Sequence, residues 1–223
     1  MKGIKMKKKL VAIIACALFS AMAMCLAGCS QPEEKQDIQI VDSGYSVSDS
    51  GYVFYGVSLN NPNETYAADF VTVTITGKDA DGKILFSNDQ VMGTINPGET
   101  YTFGTQAGNG TVPDTVEFTV KVDEENWKDG EPLDGEAYTI SNTNEVKDEY
   151  GFADFTGEIT STEAWADYGT AWVSAILKDE NGNIIAGYNG FADIVQDQPV
   201  AFDITAYELP EYSTVEYYAL PWY

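Results

Sequence analysis

The 223-residue chain contains no His and no Arg, and its three Cys (Cys16, Cys25 and Cys29) all fall within the first 29 positions. Without His there is no imidazole base and no imidazole metal ligand. Beyond Cys29 there is also no disulfide framework, thiol nucleophile or zinc–thiolate site. The lack of Arg removes bidentate phosphate contacts. Positive charge is scarce altogether, with 12 Lys against 35 Asp and Glu. Helical periodicity is missing as well, which excludes an amphipathic helical bundle.

What is present begins with an address. Five Lys (Lys2, Lys5, Lys7, Lys8, Lys9) precede an apolar run from Leu10 to Ala27, which ends in Leu26-Ala27-Gly28-Cys29 and then turns polar. This is the pattern of a targeting segment. The Leu-Ala-Gly-Cys quartet resembles the lipobox of bacterial lipoproteins. That resemblance implies a signal peptide over residues 1–28, lipidation of Cys29, and a location on the outer face of the bacterial cell membrane. The alternative is an uncleaved anchor, because a run of eighteen residues sits at the short end of a spanning helix. Either way the body of the chain is expected outside the cytoplasm.

Residues 1–28 hold five Lys and no acid, so the chain from Cys29 onward has 195 residues, 7 Lys, 35 acids and a net charge of −28. At that charge nucleic acid and bare anionic headgroups are repelled. The expected partners are a cell-surface protein or wall polysaccharide, with the membrane reached through the lipid on Cys29. A dense acidic surface also has a plain role, which is to keep a tethered protein soluble.

Self-comparison reveals an internal duplication. Phe70-Val-Thr-Val-Thr-Ile-Thr-Gly-Lys-Asp79-Ala-Asp-Gly-Lys-Ile-Leu85 matches Thr170-Ala-Trp-Val-Ser-Ala-Ile-Leu-Lys-Asp179-Glu-Asn-Gly-Asn-Ile-Ile185 at an offset of 100. Phe54-Tyr-Gly56 aligns with Phe155-Thr-Gly157, the segment Ile95–Phe103 with Ile194–Phe202, and Val116-Glu-Phe with Val215-Glu-Tyr. Each copy reads as short β-branched and aromatic runs between turn residues, the pattern of an all-β sandwich. The alternation of Val71, Val73 and Ile75 with Thr72, Thr74 and Thr76 turns one face inward. In the second copy both faces carry apolar residues, so either Trp172 or Val173 can point into the core.

The expected organisation is therefore a signal peptide (1–28), a lipidated polar stalk (29–37), a first sandwich (38–123), an acidic linker (124–135) and a second sandwich (136–223). Trp127 in the linker is read either as a wedge between domains or as an exposed aromatic. Phe54-Tyr-Gly-Val-Ser-Leu-Asn-Asn-Pro, Val-Thr-Val-Thr-Ile, Asp79-Ala-Asp-Gly-Lys-Ile-Leu and Ile95-Asn-Pro-Gly-Glu-Thr together resemble the immunoglobulin-like FxLYD-type domains of bacterial surface lipoproteins, although the Leu-Tyr-Asp element is absent. The resemblance covers most of the first copy and, more weakly, the second. It implies two tandem immunoglobulin-like β-sandwiches outside the cytoplasm and assigns no catalytic residue.

Two chemistries invite a site. Asp79-Ala-Asp81-Gly82 and Asp179-Glu-Asn181-Gly182 space oxygen ligands closely, but they lack the later Glu of an EF-hand and read better as hairpin turns. Calcium could bind where acidic loops converge, and Glu158, Glu163 and Asp167 are the candidates; no other cofactor is expected. No Ser, Thr or Lys has a recognisable activating partner, so no enzyme is expected either. Aromatic residues form 13% of the chain, and Trp165, Tyr168, Trp172, Tyr188, Tyr217, Tyr218 and Trp222 cluster in the second copy. Such rings stack on sugars or anchor protein interfaces. Trp165 and Tyr168, in the loop 161–169, are the expected exposed ligand contacts, with Tyr66 at the matching place in the first copy. The function expected is a noncatalytic, lipid-anchored binding or scaffolding module of the cell surface; the alternatives are a carbohydrate-binding protein and a calcium-dependent adhesion module.

Overall fold

The computed structural model describes residues 34–133, 135–162 and 169–222. They contain fourteen strands and no α-helix. In the first copy these are β1 (Gln39–Val47), β2 (Tyr52–Asn60), β3 (Tyr66–Ala68), β4 (Thr72–Lys78), β5 (Ile84–Val91), β6 (Thr100–Gly108), β7 (Thr115–Lys121) and β8 (Trp127–Asp129). The second contributes β9 (Tyr138–Lys147), β10 (Ala153–Ser161), β11 (Thr170–Lys178), β12 (Ile184–Asp193), β13 (Val200–Ala206) and β14 (Thr214–Trp222).

All pairings are antiparallel, and the two copies repeat one topology. The first pairs its strands as β1-β2-β6 and β5-β4-β7, and the second as β9-β10-β13 and β12-β11-β14. In each, a hairpin in one sheet crosses to a hairpin in the other, and the last two strands return one to each sheet. The chain is thus an all-β protein of two β-sandwiches, as the sequence pattern predicts.

Alternation decides what each sheet buries. In β4 the inward Val73 and Ile75 are buried while Thr72, Thr74 and Thr76 are only half-buried. In β11 nearly every residue is buried, on both faces. Val173, Ala175 and Leu177 enter the second sandwich's own core, whereas Trp172 joins the core of the first. Phe54 makes the reciprocal crossing, leaving β2 of the first sandwich to stack on Tyr188 of the second at 4.8 Å. Both Trp172 and Val173 are therefore buried, one against each sandwich. Phe54 and Phe155 are not equivalent: Tyr55 and Phe155 occupy the matching inward positions, so the pairing Phe54-Tyr-Gly56 with Phe155-Thr-Gly157 is off by one residue.

The two sandwiches meet along a row of glycines. Gly44, Gly56 and Gly104 are directly opposite one another across β1, β2 and β6. A Cβ on Gly44 would lie 1.7 Å from the Ile184 carbonyl oxygen, and one on Gly104 would lie 2.6 Å from the Cα of Gly187. Only glycine allows two sheets to approach this closely. The contact is heterologous: the first sandwich offers its β1-β2-β6 sheet and the second its β12-β11-β14 sheet, which are not corresponding faces. Such an arrangement could continue indefinitely if the end faces were apolar. They are not. Thr74 on the outer side of β4 hydrogen-bonds Asp89 at 2.6 Å, and β10 turns Asp154, Thr156, Glu158 and Thr160 outward.

The stretch read as a linker is partly built into the first sandwich. Glu124–Asn126 form a 3-10 turn, and β8 pairs with β3 through Ala67 and Lys128. Trp127 is half-buried against the first core, with the Lys35 ammonium 5.2 Å from its ring centroid, and so is not a wedge between domains. The end of the predicted stalk is docked too. Gln36 N–H donates to Asn63 Oδ1 at 2.7 Å and its carbonyl accepts from Asn63 Nδ2 at 2.8 Å.

Candidate binding cleft at the seam

Where the sandwiches meet, the β3–β4 connection of the first faces the end of β14 of the second across a cleft of about 400 Å³. Its walls are Phe70, Val91, Met92 and Tyr101 from the first sandwich and Trp172, Leu220, Pro221 and Trp222 from the second. Trp172 forms the floor, 3% exposed, with its indole held edge-on to Phe103 at 6.1 Å. Its Nε1 donates to Ser174 Oγ at 2.9 Å, and the same oxygen accepts the Gly104 N–H at 3.0 Å. Trp222 lies 5.0 Å from Trp172 and 5.4 Å from Phe191, so three rings continue from the floor to the surface.

Phe70 is the anomaly of this site. It is 63% exposed, and its φ of +50° places it in the left-handed region that side chains other than glycine rarely adopt. That conformation costs roughly 1–2 kcal/mol, and strain of this kind concentrates at functional sites. Its neighbour Asp69 explains how it is held. The Asp69 N–H donates to the Asn126 carbonyl at 2.9 Å, and its carboxylate accepts Thr94 Oγ1 at 2.5 Å and pairs with Lys128 at 2.8 Å. The connection is pinned on both sides, leaving Phe70 to project at the rim. Among the described residues the only charged lining residues are Asp69 and Lys128, which are bound to each other.

The residues expected to form sites are dispersed. Tyr66 is half-buried at the start of β3, opposite Asp129, and does not line the cleft. Glu158 lies on the outer face of β10, where it accepts from Asn142 Nδ2 at 2.5 Å. Trp165, Tyr168, Glu163, Asp167 and Cys29 lie outside the described residues. Among the described residues no three His, Cys, Asp or Glu side chains are grouped to hold a metal. Asp79 and Asp179 serve the hairpins: Asp79 Oδ1 accepts the N–H of Asp81 and Lys83, and Asp179 Oδ1 accepts those of Asn181 and Asn183. These bonds hold the Asp179 carboxyl below its ordinary value, led by those from Asn183. Positive φ is confined to Gly82 and Gly182 within these turns, which close as type I turns followed by a left-handed glycine.

Of the seven clustered aromatics, Trp172 and Tyr188 are buried, Tyr217 and Tyr218 half-buried, and Trp222 is 38% exposed. Phe70, Phe191, Asp69 and Lys128 carry no local motif. No family model matches the chain, and no curated protein matches it significantly.

Proposed function

We infer that this protein is a noncatalytic binding or scaffolding module, anchored by lipid on Cys29 to the outer face of the bacterial membrane, with the seam cleft as its contact site. The observation that carries this reading is Phe70, an exposed aromatic held in a left-handed backbone conformation at the mouth of a cleft walled by Trp172 and Trp222. A pocket of this size, mostly apolar with a few polar groups at its rim, is a recognition surface. Its charged pair is mutually neutralised, which suits shape and ring contacts better than proton transfer. The lipobox-like Leu26-Ala27-Gly28-Cys29 supports the anchor. The internal duplication supplies the two halves of the cleft.

The test is sedimentation of the soluble ectodomain, residues 30–223, with cell envelope from the source organism at moderate salt, where charge adhesion is screened. Retention of the wild type and its loss in Phe70→Ser, a substitution at a position 63% exposed, at an unchanged melting temperature, is the expected result. Equal retention of both would remove the cleft from the function.

A further inference from the structure

We propose that the mouth of the seam cleft, formed by Phe70, Val91 and Trp222 with Phe191 packed beside Trp222, rests in the headgroup region of the membrane that anchors the chain, so that the lipid interface is the ligand of this site. This rests on the reading above that Cys29 is lipidated and that the cleft is the contact site.

Three observations converge. The first is reach. Five peptide links separate Cys29 from Glu34, the first described residue, and a fully extended chain spans at most about 3.6 Å per residue, or roughly 18 Å here. Just beyond, Lys35 covers the Trp127 ring and Gln36 is clamped to Asn63. Trp127 adjoins Lys128, which lines the cleft. Trp127 in turn pairs with Ala68, next to Asp69 and Phe70, so the tether leaves the fold at the end of the first sandwich that carries the cleft. The second is composition. Phe70, Phe191, Val91 and Trp222 are 63%, 49%, 46% and 38% exposed. Phe and Trp side chains of this kind favour the boundary between water and hydrocarbon, where Trp is enriched. The third is charge. The chain from Cys29 onward carries a net charge of −28, which would hold most of its surface away from anionic lipid. The cleft is an exception, because among the described residues its only charged lining residues are the ion-paired Asp69 and Lys128.

The experiment uses the chain from Cys29 to Tyr223, coupled through the Cys29 thiol to a maleimide phospholipid in phosphatidylcholine vesicles. Some vesicles contain lipids brominated in the upper acyl chain, which quench indole fluorescence on contact. The expected result is quenching of the wild type that falls by roughly half or more in Trp222→Phe, because interfacial Trp meets the upper acyl chain. The double variant Phe70→Ser with Phe191→Ser, whose changes are at exposed positions, should reduce quenching while retaining the wild-type circular dichroism. Equal fluorescence in brominated and plain vesicles, or quenching indifferent to Trp222→Phe, would overturn the proposal. Incorporation of labelled fatty acid into the full-length precursor, lost in Cys29→Ala, tests the anchor separately. Labelling without quenching overturns the membrane contact alone, whereas no labelling overturns the anchor and this proposal with it.

Discussion

Gly104 of the first sandwich and Gly187 of the second are packed so closely that a Cβ on either would lie 2.6 Å from the other's Cα. This contact joins two sandwiches into one body and brings β14 beside the β3–β4 connection. Gly187 is bounded on its other side by the Tyr55 carbonyl oxygen, 2.4 Å from the position of a Cβ. Neither obstacle is a side-chain tip that could swing away, so a methyl group here must separate the sheets.

Gly104→Ala or Gly187→Ala is therefore expected to destabilise the protein by about 2–3 kcal/mol, the upper range for overpacking. Urea denaturation followed by circular dichroism checks this as a lower midpoint. Gly82→Ala is the comparison: its Cβ meets nothing within 4 Å, and the left-handed backbone, φ +79°, is its only penalty. That substitution should cost about 1–2 kcal/mol and leave the cleft intact.

Ser174 accepts both the Gly104 N–H and the Trp172 indole N–H in a buried setting. Removing one acceptor strands two donors, so Ser174→Ala should lose about 2–4 kcal/mol. The Trp172 emission should shift as its ring loses its tether. An unchanged unfolding midpoint would mean that other groups satisfy both donors.

At Phe70 the proposed contact role predicts opposite effects on stability and on binding. Replacing it with Gly relieves a left-handed side chain, so Phe70→Gly should stabilise the fold or leave it unchanged, with a gain of up to about 1 kcal/mol. Envelope retention should nonetheless fall. A rise in melting temperature with full retention would show that the strain serves no contact.

Much of the fold was legible because each sandwich needs an inner face. In β4 the alternation of Val with Thr reports a sheet with one side in the core, and the offset of 100 reports the duplication. The failures have physical causes. β11 is buried on both faces because it lies in an inner layer, and its sequence reads the same for either facing. Matching Phe54 to Phe155 followed residue identity, whereas inward orientation pairs Tyr55 with Phe155. The glycine row carries no signal in the sequence, since Gly in a strand says nothing about what approaches it. The cleft was hidden because its walls come from residues near 70, 92, 128, 172 and 221, joined only by the stacking of the sandwiches. Trp222 was visible as an aromatic but not as an exposed one, and Phe70 could not be read as left-handed.

One electrostatic feature recurs in both copies: Lys78 pairs with Glu117 at 2.5 Å and Lys178 with Glu216 at 2.7 Å. The hydrogen bond from Lys178, then that from Tyr218, holds the Glu216 carboxyl below its ordinary value of 4.5. Because folding lowers this pKa, the stabilisation is present above the unfolded value and is lost as pH falls through the folded one. The pair is partly exposed, so its worth after screening is about 0.5 kcal/mol. Glu216→Gln should lower the melting temperature slightly at pH 6 to 7, and the difference from wild type should vanish on acidification to roughly pH 3. A difference that persisted there would assign the effect to packing.

The most direct test of the seam cleft is hydrogen exchange of residues 30–223 with and without cell envelope from the source organism, resolved to short segments. Slowed exchange should concentrate at residues 69–71, 91–94, 190–192 and 220–222, with β4 and β10 unchanged along their outer faces. Protection elsewhere, with these four segments exchanging as they do in the free protein, would contradict the assignment of the cleft as the contact surface.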